Sequence, residues 1–281
     1  MSELSRRSWV RVARASLIGV SAVLIAQAAG PPTDTAVQSV SWYQKQQALM
    51  FDDFNGPAGS PPNPQWWTYD TGGGGWGNGE SQTYTSSPSN VRLDGAGHLV
   101  IEARNDGGQY TSARVTTQGR TSLLYGRAEA RAKLPRGAGM HPAFWLLGTD
   151  LGVVGWPESG EIDAVETVGG AGQLYSSVIG PKTTGGDWQA GPTTDVAASF
   201  VDDFHTYWVE KAPGRVTFGV DGQITGEVSA AGLPPNERWV FDKPFFLLLN
   251  VAVGGEWPGP ADSTTPFPAA MVVDWVRVSG D

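Results

Sequence analysis

The sequence predicts an all-β protein, a sandwich or jelly roll, on three observations. Gly and Pro are abundant, 38 and 20 of 281 residues, and only 17 % of the chain is charged; such a composition interrupts helices and supplies turns. Apolar residues recur at a period of two in several short runs, the spacing of strands with one covered face. Between those runs there is no amphipathic helix of convincing length. Many strands separated by Gly, Pro and Asn turns suit two packed sheets.

The chain opens with a processing segment. Arg6, Arg7, Arg11 and Arg14 form a basic start, residues 15–26 are apolar, and Ala26-Gln27-Ala28 fits a cleavage site, so residues 1–29 read as an export signal. Ser5-Arg6-Arg7 matches a twin-arginine leader as well as an ordinary basic one. The apolar run is shorter than the ~20 residues that span a bilayer, so the expectation is a secreted or cell-envelope protein with no stable membrane association after cleavage. Residues 30–47 begin Gly-Pro-Pro, lack apolar periodicity and read as a linker or N-terminal arm.

No second linker or repeat follows, so residues 48–281 form one domain, expected to be monomeric and large enough to bury a core without staples. There is no Cys, which excludes disulfides, thiolate metal sites and a Cys nucleophile. The formal charge of −9 includes four arginines of the leader; the remaining body is more acidic still and repels nucleic acid and anionic membranes. A neutral ligand suits it better than a polyanion.

Within the domain, residues 126–134 alternate cleanly, with Arg127, Glu129, Arg131 and Lys133 on one face and Ala128, Ala130 and Ala132 on the other. Residues 98–104, 215–220 and 271–278 behave similarly. Asp221-Gly222 between strand-like runs signals a hairpin. Residues 244–253 are almost all apolar and predict a strand buried on both faces.

The chemistry concentrates in Trp156-Pro157-Glu158-Ser159-Gly160-Glu161-Ile162-Asp163-Ala164-Val165-Glu166. Glu161 and Asp163 share a strand face, but Glu166 breaks parity. A β-bulge near Ala164-Val165 restores it to their side and leaves the glutamates about four strand steps, roughly 13 Å, apart at Cα. Leaning side chains then bring two carboxyls to the ~5–5.5 Å of a retaining glycosidase. Crowded carboxyls retain a proton, so Glu166 serves as acid/base, Glu161 as nucleophile and Asp163 as the group that orients it. A solvated acidic edge or a Ca²⁺ loop are the alternatives that these residues alone leave open.

These residues resemble the signature of family 16 glycoside hydrolases, in the bulged form of laminarinases (endo-β-1,3-glucanases). Further blocks resemble the family in order: Phe51-Asp52-Asp53-Phe54-Asn55-Gly56, Asn78-Gly79-Glu80-Ser81-Gln82-Thr83-Tyr84, Tyr110 to Arg114, Tyr125 to Arg131, Phe204-His205-Thr206-Tyr207, Leu249 to Gly255, and 271–278. The resemblance implies a concanavalin-like β-jelly roll with a concave substrate cleft, and the same roles for Glu161, Asp163 and Glu166. It implies that Trp156 stacks on a sugar and that Asn78, Arg114, Trp145, His205 and Trp257 line the cleft, with core packing the competing reading for Trp145 and a structural role for His205. It implies no cofactor for catalysis, and a structural Ca²⁺ at Asp53 (where Glu is more usual), Gly97 and Asp274.

Two positions depart from the family. His141 precedes Pro142 where many laminarinases carry Trp, and Ile179 stands where relatives show His before Gly-Pro. The implied activity is endo-hydrolysis of β-1,3- or mixed β-1,3/1,4-glucan with retention. A transglycosylase, a galactan-cleaving hydrolase and a non-catalytic carbohydrate-binding protein are the alternatives. Other chemistries fit poorly: Gly72 to Gly75 lacks the Lys-Ser/Thr of a phosphate loop, there is no G-x-S-x-G elbow, and His98, His141 and His205 lack zinc-ligand spacing.

Overall fold

The computed structural model describes residues 47–280 except Ala171. The expected export signal and most of the expected linker lie outside them. The described residues form two stacked sheets. The outer, ten-stranded sheet runs β16 (Gln223–Ser229), β15 (Arg215–Val220), β14 (His205–Ala212), β8 (Gly126–Lys133), β18 (Ala269–Gly280), β5 (Leu99–Asp106), β6 (Gln109–Ser112), β3 (Thr83–Tyr84), with β1 (Gln47–Asp52) on β18 and β4 (Val91–Leu93) on β5. The inner, eight-stranded sheet runs β12 (Asp187–Ala190), β11 (Gln173–Pro181), β10 (Glu161–Glu166), β9 (Met140–Gly148), β17 (Phe245–Val253), β7 (Arg114–Thr116), β2 (Thr68–Asp70), with β13 (Thr193–Asp195) on β11. Among the described residues, helix is limited to α1 (Leu151–Val154) and two 3-10 turns. This is the jelly-roll sandwich that the sequence predicts.

One apolar core joins the sheets. Ala128, Ala130 and Ala132 of β8 are buried, as their alternation requires, and share that core with Phe144, Leu146, Ile162, Phe218, Phe245 and Val276. Each fully buried large side chain contributes roughly 1.5–3 kcal/mol. The opposite face of β8 is less open than alternation alone suggests. Glu129 is buried between Arg127 and Arg277, and the Arg127 guanidinium lies 3.7 Å from the centre of the Trp208 ring. Gly219 is required there, since a Cβ would stand 2.0 Å from Trp208.

Every residue of β17 is buried. Its odd-numbered side chains enter the core, while Phe246 and Leu248 join Leu147, beneath Trp145 and Trp156, on the other face. The Asp221-Gly222 hairpin joins β15 and β16, with positive φ of 49° and 79° at the two residues, as a two-residue turn demands. A feature that the alternation of residues 271–278 does not reveal is a register shift between Val273 and Trp275 of β18, at Asp274.

Candidate active site

Strand β10 carries the three acids on the face of the inner sheet turned away from the core. Against β9, Glu161 pairs with Leu147, Ile162 with Leu146 and Asp163 with Trp145; the register then shifts, pairing Val165 with Phe144 and Glu166 with Ala143. Ala164 is the extra residue. Against β11, Asp163 pairs with Ser177 and Glu166 with Tyr175. The bulge therefore sits where parity demanded it. It turns Ile162, Ala164 and Val165 into the core and keeps a carboxylate out of it, where burial without partners is unfavourable.

The acids are 8, 1 and 5 % exposed for Glu161, Asp163 and Glu166, and each has its own polar neighbour. Trp156 donates its indole N–H to Glu161 Oε2 at 2.8 Å. Ser177 donates its hydroxyl to Asp163 Oδ2 at 2.5 Å and accepts from Gln189 Nε2 at 3.0 Å. His141 Nε2 lies 2.7 Å from Glu166 Oε1. Trp257 meets His141 edge-on at 5.2 Å and Tyr175 at 4.8 Å, closing the site around Glu166. Ile179, the β11 partner of Glu161, is buried and offers it no donor.

Charges fix the segment that carries Trp156. Lys243 Nζ donates to Asp150 Oδ2 (2.8 Å) and to the Glu158 carbonyl (3.0 Å), and Arg238 ion-pairs with Glu158. Gly160, at φ 72°, turns the chain into β10 against Phe241 and Phe245.

A second network crosses the sheet from Trp145. Its Nε1–H donates to Asn250 Oδ1 (2.7 Å), Asn250 Nδ2 donates to the Tyr84 hydroxyl (3.1 Å), and that hydroxyl donates to Glu80 Oε2 (3.1 Å). Gln82 donates to the same Glu80 oxygen at 2.5 Å and accepts from the Val253 N–H. Burial, and then the Glu80 charge, raises the Tyr84 pKa well above its ordinary value, so its phenol stays protonated as a donor. Arg114 ion-pairs with Asp70 at 3.0 Å and lies between Trp145 and Trp76, 4.5 and 5.0 Å from the ring centres. Asn78 belongs to the adjoining loop, where its carbonyl accepts from the Glu256 N–H.

Trp156, Trp145, Arg114, Asn78 and Trp257 thus gather on or beside the face that holds the acids. His205 is elsewhere. It begins β14 of the outer sheet, 2.5 Å from Asp221 Oδ2 and stacked on Phe200 at 3.5 Å, a set of contacts that suits structure. Tyr175, Ser177, Gln189, Asn250, Tyr84 and Glu80 complete the site without having been singled out as site residues. Tyr175 and Ser177 alternate on β11, but only the pairing with β10 gives that alternation meaning.

The residues expected to hold Ca²⁺ belong to the outer sheet and its adjoining turns. The pairing of Asp52 with Val276 brings Asp53 beside the irregularity at Asp274. A Cβ on Gly97 would meet Asn55 Oδ1 at 3.4 Å and the Asp53 carbonyl at 3.9 Å. Arg131 engages Asp274 Oδ2. Among the described residues no group of three His, Cys, Asp or Glu gathers for a metal, so an ion here would rely on carbonyls and on Asp274 Oδ1. Such an all-oxygen set fits Ca²⁺.

Residues 78–277 match the family described as glycosyl hydrolases family 16. The chain is 40 % identical to a Rhodothermus marinus protein named beta-glucanase over 235 residues, 77 % of this chain and 80 % of that one. Among solved structures, the laminarinase catalytic domain of Thermotoga maritima aligns with a TM-score of 0.73 at 39 % identity, covering 84 % of this chain and 98 % of that one. The endo-β-1,3-glucanase of Pyrococcus furiosus aligns with the same score and identity, covering 84 % and 94 %.

Proposed function

The chain belongs to family 16 of the glycosyl hydrolases and is a glycoside hydrolase, and we propose that it cuts β-1,3- or mixed β-1,3/1,4-glucan internally, using Glu161 as nucleophile and Glu166 as acid/base. The observation that carries the assignment is the bulge at Ala164, which sets Glu161, Asp163 and Glu166 side by side on one face.

In the first half-reaction a Glu161 oxygen bonds to the anomeric carbon. The glycosidic C–O bond breaks, and the leaving oxygen takes the Glu166 proton. In the second, Glu166 takes a proton from water, the water oxygen bonds to the same carbon, and the ester to Glu161 is released, so configuration is retained. Trp156 holds Glu161 by one oxygen, and Asp163, held by Ser177, lies between the two glutamates along the strand. The aromatic rings of Trp145 and Trp257 offer flat apolar surfaces to pyranose faces, and Arg114 and Asn78 offer polar ones. All three acids are present and provided with partners, which disfavours a carbohydrate-binding protein that has lost catalysis.

The test is reducing-sugar release on laminarin, lichenan, agarose and carrageenan, with Glu161→Gln as control and NMR of the first-formed anomer. Activity on laminarin with retained configuration, lost in the control, is expected. Near-normal activity of Glu161→Gln, or inverted product, removes the assignment. Two further proposals accompany it. The protein is exported through residues 1–29, as its leader pattern suggests, to act in the cell envelope or outside the cell, and it acts as a monomer. Asp53, Gly97 and Asp274 hold a structural Ca²⁺ that takes no part in the chemistry.

A further inference from the structure

We propose that His141 is a positioning residue for Glu166, whose ring N–H holds one carboxylate oxygen and favours the ionised form needed in the second half-reaction. The proposal rests on the reading of Glu166 as acid/base. Both residues are 5 % exposed, and His141 Nε2 lies 2.7 Å from Glu166 Oε1. The other ring nitrogen, Nδ1, is buried with no hydrogen-bond partner among the described residues. An imidazolium, or the tautomer with its proton on Nδ1, would bury an N–H without an acceptor, and orphaned buried N–H groups are rarer than orphaned acceptors. The neutral tautomer protonated at Nε2 fits, and it donates to Glu166.

The surroundings hold that arrangement. Trp257 packs edge-on against both His141 and Tyr175, and Tyr175 is the β11 partner of Glu166. The titratable groups facing Glu166 are Asp163 and Glu161 on its own strand, His141 on β9 and Tyr175 on β11. The segment after β17 brings Trp257 and the exposed Glu256, and Arg114 and Asp70 lie at the far side of the sheet, on β7 and β2. His141 is the histidine in this set. With Oε1 held, the transferable proton is carried on Oε2. A neutral donor favours carboxylate over carboxylic acid. It therefore enlarges the ionised fraction of Glu166 available to orient and activate water, and narrows, at the alkaline end, the pH range in which Glu166 can act as an acid.

The experiment compares His141→Leu, His141→Phe and His141→Gln with the parent protein. It measures kcat/KM on laminarin across pH, and kcat on an aryl β-laminarioligosaccharide whose good leaving group departs without acid. The two apolar variants lack the donor, and whichever folds by circular dichroism carries the comparison. The alkaline limb of kcat/KM is expected to move up by about one pH unit, and kcat on the aryl substrate to fall several-fold because water activation limits it. His141→Gln, whose amide can donate to the same oxygen, keeps the limb. An unmoved limb in the apolar variants, or a Gln variant displaced as far as they are, overturns the proposal. Glu166→Ala separates this from the parent reading: rescue by azide on the aryl substrate supports Glu166 as acid/base and leaves His141 to the limb alone, whereas near-parent activity without azide removes both.

Discussion

Deleting Ala164 tests whether the bulge aims Glu166. Ala164 is the residue that β9 skips. Without it, Glu161, Asp163 and Glu166 occupy alternate positions with Ile162 and Val165 between them, so all three acids keep their face. The deletion removes a buried methyl, about 0.8 kcal/mol, and the hydrogen bond from the Ser176 hydroxyl to the Ala164 carbonyl (2.8 Å), about 1 kcal/mol. A loss of ~2 kcal/mol lowers Tm by roughly 4–8 °C in a domain of this size. The glutamates stay about four strand steps apart, so activity survives with a loss no greater than ~10²-fold. Deleting Ala164 and Val165 together is the control. That reverses the parity of Glu166 and aims its carboxylate at the core, at a cost of several kcal/mol against a total stability of about 5–15 kcal/mol. Urea unfolding followed by Trp fluorescence, with reducing-sugar release, reads both. Equal destabilisation by the two deletions, or an inactive but folded single deletion, would refute the reasoning.

Three other outcomes are expected. Trp156→Phe keeps an aromatic ring against Leu147, Phe246 and Leu248 but removes the N–H held by Glu161; kcat should drop roughly 10- to 100-fold, and an unchanged kcat in a folded variant argues against the contact. Burial lowers the Lys211 pKa from 10.5 to about 7, so the unfolded chain binds more protons between those values and stability gains from rising pH across that window. Urea midpoints at pH 6, 8 and 10 should show this rise in the parent protein and a smaller one in Lys211→Met. Adding CaCl₂ should raise Tm as expected for a ligand of the folded state, with reversal by EGTA and no rise in Asp274→Asn.

Much of this was legible along the chain because alternation reports directly on faces. The alanines of β8, the doubly buried β17 and the Asp221-Gly222 turn all follow from local pattern. So does the bulge, since Glu166 could join Glu161 and Asp163 only through an extra residue. What local pattern does not carry is which strands become neighbours. Asn250 reaches Trp145 and Tyr84 because β17, far along the chain, lies between β9 and β7. Ser177 and Tyr175 matter because β11 pairs with β10. His141 reads in sequence as a missing stacking surface, yet the register sets it two residues from the partner of Glu166 on the same face, in hydrogen-bond contact. Trp156, expected as a sugar platform, also holds Glu161. His205 shows the converse: a histidine in a family-like block, placed with Phe200 and Asp221 on the outer sheet.

The three alanines of β8 bear on the geometry above them. They are small members of a core shared with Ile162 and Val165 on the underside of β10, and β10 lies across that core from β14, the neighbour of β8. A densely filled interior transmits strain instead of absorbing it. Enlarging Ala130, the β8 partner of Tyr207 on β14, would therefore press on the core that underlies the catalytic strand without touching Glu161 or Glu166. On that reasoning turnover should respond to the size of a buried residue in this core as well as to the residues that meet the sugar.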